Sequence, residues 1–277
     1  MSLDPKQWQL AGSSAELYER YLVPAVTLPW AADLVERVGV ESDDRVLDVA
    51  CGTGAVARVA AEHVGERGRV VGLDINATML AVARSHQPTP GAAPIEWHEG
   101  SALQLPFEAD EFDAVICQLG LQFFSDRAAA LLEMRRVLIA GGRVGASVYT
   151  AIERNPATHA LSVALDRHLG QGAALAKRNE HSLADPEELA ALFAAAGFAD
   201  VRVETATLAV AFASPAEYVT VQFAATPLAA LVADLDQSER ARVLGLVSAD
   251  VDEALAPYIG DSGLAFPQEV YVTLGTA

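Results

Sequence analysis

Short apolar runs alternate with longer amphipathic stretches through the middle of the chain. Five runs contain β-branched or aliphatic residues over lengths typical of strands, and they cover residues 45–50, 69–74, 94–99, 112–118 and 143–149. Stretches with helical spacing lie between them, at residues 53–64, 77–84 and 126–138. This alternation predicts a doubly wound α/β fold, in which crossover helices connect parallel strands. The strands are almost continuously apolar, which is typical of a sheet covered on both faces.

The C-terminal part of the sequence predicts one more helix and two more strands. Asp185 and Pro186 supply an N-cap and a first-turn proline, and Gly197 is suited to follow a helix that ends near residue 196. Strands are predicted at residues 201–212 and 269–276, which makes seven in all. The sequence therefore predicts a single sheet that is completed late in the chain.

Three segments do not belong to this repeating pattern. They are an N-terminal helical arm at residues 1–40, an insertion at 151–183 and a helical insertion at 214–267. The α/β core is predicted at 41–150, and 184–277 completes the sheet around the second insertion. Because parallel α/β sheets bind ligands beyond the carboxyl ends of their strands, we expect the helical segments to form a lid over that edge.

The charge of the chain restricts its partners. It has 37 acidic and 19 basic residues and a net charge of −18, so its average field repels nucleic acid. Cys51 and Cys117 both fall inside predicted core elements, which favours a reducing compartment. No signal peptide or membrane span is predicted. We therefore expect a cytoplasmic protein with a small-molecule partner, and a homodimer is left open.

The segment DVACGTG, residues 48–54, joins the first strand to the following helix. Gly52 and Gly54 remove side chains that would keep a ligand from the backbone, and the new helix start offers free N–H donors. Asp74 ends the next strand, twenty residues after Gly54, where a carboxylate can accept hydrogen bonds from both hydroxyls of a ribose. This combination indicates a cofactor that contains adenosine.

The glycines alone leave two cofactors open. Residues 52–57 also satisfy the GxGxxG/A pattern of NAD-binding proteins, so an NAD-dependent oxidoreductase is one alternative. Asp48, four residues before Gly52, decides between them, because its negative charge disfavours a pyrophosphate and favours the sulfonium and ammonium groups of S-adenosylmethionine. The turn therefore favours the methyl donor.

Five motifs occur in the order and spacing of a known family. They are DVACGTG, the strand end VGLD, EGSALQLPF at residues 99–107, FDAVICQLGLQFFSD at 112–126 and RRVLIAGGRV at 135–144. In these motifs the chain resembles the class I S-adenosylmethionine-dependent methyltransferases, in particular the ubiquinone and menaquinone C-methyltransferases (methyltransferase type 11). The resemblance covers roughly residues 15–150. It implies a mostly parallel seven-stranded sheet of order 3-2-1-4-5-7-6 with an antiparallel last strand and helical lid insertions.

The resemblance also implies roles for individual residues. The methionine part of the cofactor would be wrapped by residues of the first turn, namely Asp48, Ala50, Gly52, Thr53 and Gly54. The remaining contacts would be Asp74 on the ribose, Ile75 and Met79 on the adenine face, Ser101 and Ala102 at the adenine edge, Gln118 and Leu119 under the sulfonium, and Tyr21 over the carboxylate end. The implied reaction is methyl transfer by in-line displacement to a small, largely apolar acceptor.

A general base is not identified by the motifs. Many relatives carry a histidine after the fourth strand, where this chain has Gln122-Phe123-Phe124, and the family commonly has an aspartate in place of Ser101. His159 and His181, in the predicted lid, are the weak catalytic candidates, and the histidine spacing predicts no metal site. Without a base, a non-catalytic S-adenosylmethionine-binding regulator is a second alternative.

Overall fold

The computed structural model describes residues 13–277, so the first twelve residues of the predicted N-terminal arm lie outside the described part. The chain divides into two compact units. An α/β unit comprises residues 27–149, 183–206 and 270–277, and a helical unit comprises 13–26, 150–182 and 207–269. Among the helices of residues 13–277, none is both long enough and apolar enough to cross a membrane.

Within residues 13–277 the strands form one eight-stranded sheet. They are β1 Arg45–Val49, β2 Arg69–Asp74, β3 Ile95–Glu99, β4 Phe112–Gln118, β5 Leu138–Tyr149, β6 Ala199–Phe212, β7 Ile259–Gly260 and β8 Gly263–Thr276. The main order is β3-β2-β1-β4-β5-β8-β6, with the two-residue β7 paired to β8. Since β7 is an added edge piece, the predicted order is confirmed. The predicted antiparallel last strand is also confirmed, because β8 runs antiparallel to β5.

Strand register aligns the carboxyl ends of the central strands. Asp48 of β1 pairs with Gly72 of β2 on one side and with Ile116 of β4 on the other. All three strands run parallel, so β1, β2 and β4 end at the same edge of the sheet. The turns that follow them therefore lie side by side, as expected for a ligand site in this class of fold.

Three strands begin earlier than the sequence indicates. β5 starts at Leu138 rather than residue 143, β6 at Ala199 rather than 201, and β8 at Gly263 rather than 269. For β5 the reason is a pairing with the last residue of the chain: Gly141 N donates to Ala277 O (2.9 Å), and Ala277 N donates to Gly142 O (2.8 Å). The glycine pair Gly141–Gly142, which resembles a turn in the sequence, is thereby held in strand β5 by Ala277.

The helices of the α/β unit cover both faces of its sheet. They are α2 Leu28–Val38, α3 Ala55–Val64, α4 Ala77–Ser85, α5 Arg127–Val137 and α8 Pro186–Ala195. Helix α8 confirms the predicted start, since Asp185 Oδ1 accepts from Glu187 N at 2.9 Å. On one face α2 packs against β5, where Gly145 makes room for Val38 and Leu34. Buried Leu47, Val115 and Met134 belong to the core of the other face.

The helical unit has its own apolar core. Its helices are α1 Ser14–Leu17, a π-helical segment Tyr18–Thr27 whose last residue belongs to the α/β unit, α6 Pro156–Leu169, α7 Leu175–Glu180, α9 Pro215–Ala225 and α10 Gln237–Leu255. Phe212 and Tyr218 meet at 5.3 Å between ring centroids, and Phe266 stacks on Phe212 at 6.3 Å. Such aromatic clusters contribute a large share of core burial in small units.

Candidate cofactor site

Three residues of the turn after β1 have a left-handed backbone conformation. Ala50, Gly52 and Gly54 have φ values of +59°, +55° and +86°. The turn is fixed at both ends, since Cys51 N donates to Leu73 O (3.0 Å) and Gly54 N donates to Cys51 O (2.8 Å). Alanine occupies this region only when the surrounding structure holds it there, and such strain concentrates at functional sites.

Close packing beneath the turn explains the glycines around it. The Trp97 ring lies against Gly54 and Gly72, and a Cβ on Gly72 would come within 2.5 Å of Trp97 Cζ3. A Cβ on Gly120, in the turn after β4, would lie 2.9 Å from Ala50 Cβ. The turns after β1 and β4 therefore touch, and position 120 has no room for a side chain beside Ala50.

Asp48 is a buried carboxylate beneath this turn. Its side chain is only 1% exposed, and Oδ2 accepts a hydrogen bond from Ala57 N at 3.0 Å. Burial raises the pKa of Asp48 well above 3.8, and the neighbouring Asp74 raises this pKa further. Arg58 favours the carboxylate of Asp48 but does not outweigh its burial, so the site is suited to a ligand that brings further positive charge.

Asp74 connects the first turn to the next one. Its Oδ2 accepts from Gly52 N at 2.7 Å, and its Oδ1 accepts from Asn76 N at 2.8 Å. Asp74 is buried, yet each carboxylate oxygen has a second lone pair that can accept from a hydroxyl. A ribose can therefore bind Asp74 without breaking the contacts that fix the turn.

The predicted adenine contacts differ in their surroundings. Ile75 is 75% exposed, which is unusual for a large aliphatic side chain. Asn76 Oδ1 caps α4 and accepts from Met79 N at 3.3 Å. Ser101 Oγ accepts from Leu103 N at 3.2 Å, and Ala102 is buried in the apolar core. The exposed Ile75 is thus suited to cover a flat base, whereas Ala102 offers the ligand its backbone only.

Two buried polar atoms at this edge need a ligand. Gln118 Nε2 donates to Thr27 O at 2.9 Å, which fixes the amide. Within the described residues, Gln118 Oε1 and Thr53 Oγ1 have no hydrogen-bond partner. Leu119, directly after Gln118, has a φ of +51° and donates to Ser147 O. Buried polar groups without partners destabilise a protein, so these atoms indicate that a polar ligand completes the site.

The remaining predicted site residues belong to the helical unit. Tyr21 lies in the π-helical segment and lines a groove with Pro24 and Phe212. His159 is exposed on α6, whereas His181 is buried and its Nδ1 lies 2.6 Å from Thr150 O. Burial lowers the pKa of His181 below 6.5. The roles of Tyr21 and of both histidines remain predictions.

Neither cysteine fits a nucleophile. Cys51 and Cys117 are both buried with free thiols, and burial raises the pKa of each. Among the described residues, no group of three or more histidine, cysteine, aspartate or glutamate side chains could hold a metal ion. The chemistry of the site therefore centres on the carboxylates Asp48 and Asp74.

Sequence reasoning missed the supports behind the turn. Trp97 of β3 pairs with Gly72 of β2, and Arg58 Nη1 donates to Thr53 O at 2.6 Å. The glycine inside a strand was the available signal for Trp97, because such a residue often marks the close approach of another group. Nothing in a single sequence indicates that Arg58 binds the backbone of this turn.

Comparison with known proteins identifies the family. The model of the ubiE/COQ5 methyltransferase family matches residues 26–216, more than half of the chain. The chain belongs to this family. The match includes the turn, Asp74 and Gln118, so the resemblance seen in the sequence motifs is confirmed. It starts after Tyr21, so it says nothing about that residue.

Two curated relatives illustrate the similarity. A 2-phytyl-1,4-naphthoquinone methyltransferase from Synechocystis is 43% identical over 116 residues, which cover 42% of this chain and 49% of the relative. A demethylmenaquinone methyltransferase from Geobacillus stearothermophilus is 33% identical over 199 residues, which cover 66% of this chain and 83% of the relative. The chain spans about half the length of the first of these.

Solved structures share the fold of the family. The YcgJ protein from Bacillus subtilis superimposes with a TM-score of 0.58 at 21% identity, covering 90% of this chain and 98% of that protein. A phosphoethanolamine N-methyltransferase from Haemonchus contortus, crystallised with S-adenosylhomocysteine, gives a TM-score of 0.55 at 20% identity, covering 96% and 60% respectively. These likenesses confirm the Rossmann-like methyltransferase fold.

Proposed function

We propose that this chain transfers a methyl group from S-adenosylmethionine to a small, largely apolar acceptor. The observation that carries the proposal is the buried Asp48 carboxylate beneath the left-handed turn at Ala50 to Gly54. A pyrophosphate would place more negative charge beside Asp48, whereas the ammonium and sulfonium groups of the methyl donor neutralise it. Membership of a methyltransferase family supports the same cofactor.

The chain's own residues fit each part of that cofactor. Thr53 Oγ1 and Gln118 Oε1 supply the unpartnered hydrogen-bonding atoms for the methionine part, Asp74 supplies lone pairs for the ribose, and exposed Ile75 covers the base. Met79, Ser101, Ala102, Leu119 and Tyr21 complete the proposed set. When bound, S-adenosylmethionine supplies a methyl group on a positively charged sulfur, which an acceptor nucleophile takes in line while the carbon–sulfur electron pair stays on sulfur.

The proposed acceptor is a reduced quinone of the naphthoquinol type. Support comes from two relatives, which are named as methyltransferases of 2-phytyl-1,4-naphthoquinone and of demethylmenaquinone. The net charge of −18 agrees with a neutral, apolar acceptor and disfavours nucleic acid. The free thiols of Cys51 and Cys117 support a reducing, cytoplasmic location. The proposal leaves the oligomeric state open, with a homodimer as one alternative.

His159 and His181 are the weak candidates for the base that takes the acceptor proton, and Nε2 of His181 is a buried atom. The Thr150 carbonyl can only accept, so Nδ1 of His181 carries the proton and Nε2 is the basic nitrogen of the neutral ring. A lowered pKa keeps the ring neutral at physiological pH, as a base requires. His159, exposed on α6, is the weaker candidate.

Turnover of S-adenosylmethionine labelled in its methyl group tests the proposed function. The purified chain should move label to demethylated naphthoquinols kept reduced by dithionite, and S-adenosylhomocysteine should inhibit the reaction. A panel of amines, thiols and catechols serves as the control for acceptor class. If the chain binds the methyl donor but transfers label to none of these acceptors, the result would favour a cofactor-binding regulator and reject catalysis.

A further inference from the structure

Ser147 is a buried serine near the carboxyl end of β5, outside the sequence motifs that define the cofactor site. The residue is 2% exposed, and within residues 13–277 its Oγ has no hydrogen-bond partner. Native proteins seldom keep a buried hydroxyl without a partner, because its desolvation is not repaid. The hydroxyl of Ser147 therefore indicates that a polar ligand group binds here.

Gln118, the last residue of β4, is the direct neighbour of Ser147. The two are register partners on adjacent parallel strands, which lie about 4.8 Å apart, so their side chains project side by side from one face of the sheet. This is the face that α2 covers, since Gly145, two residues before Ser147, makes room for Val38 of α2. Gln118 Oε1 also has no hydrogen-bond partner in the described part of the chain. We name the two side chains the Gln118–Ser147 pair.

The pair offers one atom that can only accept and one hydroxyl. Gln118 Nε2 donates to Thr27 O at 2.9 Å, which fixes the amide and leaves Oε1 as its acceptor. Ser147 Oγ can both donate and accept. A ligand hydroxyl satisfies both atoms, because it donates its proton to Oε1 and accepts the proton of Oγ. A quinone carbonyl has no proton to donate and leaves Oε1 without a partner.

The Gln118–Ser147 pair adjoins the position proposed for the sulfonium. Leu119, which follows Gln118, donates from its backbone N to Ser147 O at 2.9 Å, so the turn after β4 is bonded directly to this residue. Gln118 Oε1 has two lone pairs and can accept from the cofactor and from a second ligand. A ligand held by the pair would thus lie beside the transferable methyl group.

The pair is shielded from solvent at the end of an unusual helical segment. Thr27, whose carbonyl fixes Gln118, is the residue at which the π-helical segment Tyr18–Thr27 joins α2. π-Helical turns are uncommon and occur frequently at functional sites. Entry of a ligand requires a local movement, and this junction is the place where the backbone departs from regular α-helix.

We propose that the Gln118–Ser147 pair binds a ring hydroxyl of the methyl acceptor, which makes Ser147 a specificity-determining residue for hydroxylated aromatic acceptors. The inference rests on the proposed function, because a methyl donor beside Gln118 is what makes the pair part of an acceptor site. The chain then distinguishes a quinol from a quinone through one serine hydroxyl.

Thermal melts without ligand test whether the hydroxyl of Ser147 lacks a partner. Ser147→Ala removes a buried oxygen that has no hydrogen bond to lose among the described residues, so it should raise the melting temperature by about 2 °C. Ser162→Ala is the matched control, because Ser162 is also buried and donates from Oγ to His159 O at 2.8 Å, so this variant should melt at a lower temperature. A lower melting temperature for Ser147→Ala would show that a buried water already satisfies the hydroxyl and would overturn the proposal.

Fluorine NMR in the presence of saturating S-adenosylhomocysteine tests binding of the hydroxyl. The probes are 4-fluoro-1-naphthol and 1-fluoronaphthalene, which differ by the hydroxyl alone. Ser147→Ala should weaken binding of the naphthol about fivefold and that of fluoronaphthalene by less than about twofold, whereas Ser162→Ala should change neither. Equal effects of Ser147→Ala on both probes, or no binding of the naphthol to the wild-type chain, would overturn the proposal.

Calorimetry with S-adenosylhomocysteine separates a role toward the acceptor from a role toward the cofactor. The Kd of S-adenosylhomocysteine should agree within about twofold between the wild-type chain and Ser147→Ala, since the lost hydroxyl serves the acceptor. A larger loss of affinity would assign Ser147 to the cofactor and overturn the proposal. If Ser147→Ala does not fold, Ser147→Cys replaces it, because a thiol has a similar shape and is only a weak donor. This variant should also weaken binding of the naphthol alone.

Transfer of labelled methyl groups distinguishes failure of this inference from failure of the proposed function. Ser147→Ala should raise the KM of a naphthoquinol about fivefold. If the wild-type chain binds the naphthol through Ser147 but transfers no label, the proposed function fails and the hydroxyl site stands. If label is transferred and Ser147→Ala changes neither the KM nor the binding of the probes, the proposed function stands and this inference fails.

Discussion

At the scale of single residues, Asp48 carries the electrostatics of the site. It combines full burial with a raised pKa, and an amide oxygen can keep its hydrogen bond from Ala57 N. A buried acid that lowers stability is typical of a functional site, where stability is exchanged for activity. Asp48→Asn should therefore raise the stability of the chain and weaken its binding of the cofactor.

The stability effect of Asp48→Asn follows from linkage. Because folding raises the pKa of Asp48 above 3.8, the native state of the wild-type chain loses stability as pH rises from 3.8 through the higher pKa of the folded protein. Asparagine does not titrate, so the variant should lack this decline and be more stable than the wild-type chain at neutral pH. Urea unfolding across pH 4–8 measures it, and an equally steep decline in the variant would contradict the burial argument.

His181 provides the test of the proposed base. Asparagine keeps an N–H that can donate to Thr150 O and removes the basic nitrogen, so His181→Asn should lower kcat at least about 100-fold with little change in melting temperature. The matched change His159→Asn, on the exposed face of α6, should stay within about twofold.

The pH profile separates a base from a structural histidine. Wild-type kcat/KM should fall at acid pH with a pKa below 6.5, because burial lowers the pKa of His181, and His181→Asn should lack that limb. A variant with the wild-type profile would remove His181 from the chemistry.

At the scale of elements, the first βα turn depends on what packs behind it. Gly54 combines a φ of +86° with contact to Trp97, whereas Gly39 has a φ of +69°, the same left-handed conformation, and open space where a Cβ would lie. Gly39→Ala should therefore cost about 1 kcal/mol for backbone strain alone. Gly54→Ala should cost at least about 2 kcal/mol, since it adds overlap with the Trp97 ring.

Urea unfolding of the two glycine variants measures this difference. It also checks the packing interpretation, because Trp97→Leu in the Gly54→Ala background should recover part of the lost stability. Equal losses in the two alanine variants would show that Trp97 does not limit the turn.

Several elements were predictable from local pattern. The β1 turn, Asp74 at the end of β2 and the Asp185 cap of α8 all rest on neighbours in sequence, and the structure confirms their places. The early start of β5 was not predictable, because it depends on hydrogen bonds between Gly141–Gly142 and Ala277. A glycine pair resembles a turn until its distant partner is known.

Parts of the site depend on contacts that a single sequence does not encode locally. Gln118 was predicted at the end of β4, but its anchoring to Thr27 O joins residues 91 apart in the chain. The left-handed conformation of Ala50 follows from tertiary packing, since alanine itself disfavours it. The residue types thus predicted where the site lies. Which of its atoms lack hydrogen-bond partners depends on the fold.

At the scale of the whole molecule, charge and fold agree on the kind of ligand. A chain with a net charge of −18 has two buried carboxylates, Asp48 and Asp74, at the carboxyl edge of a parallel sheet, within the residues that the family model matches. We infer that the turn selects a positively charged adenosine cofactor over a dinucleotide.

Calorimetric titration of the wild-type chain and Asp48→Asn with S-adenosylmethionine, S-adenosylhomocysteine and NADH tests this claim most directly. We predict one-to-one binding of both adenosine ligands and no heat from NADH. The variant should lose more affinity for S-adenosylmethionine than for S-adenosylhomocysteine, which lacks the sulfonium charge. Binding of NADH, or equal affinities in the variant and the wild-type chain, would contradict the account.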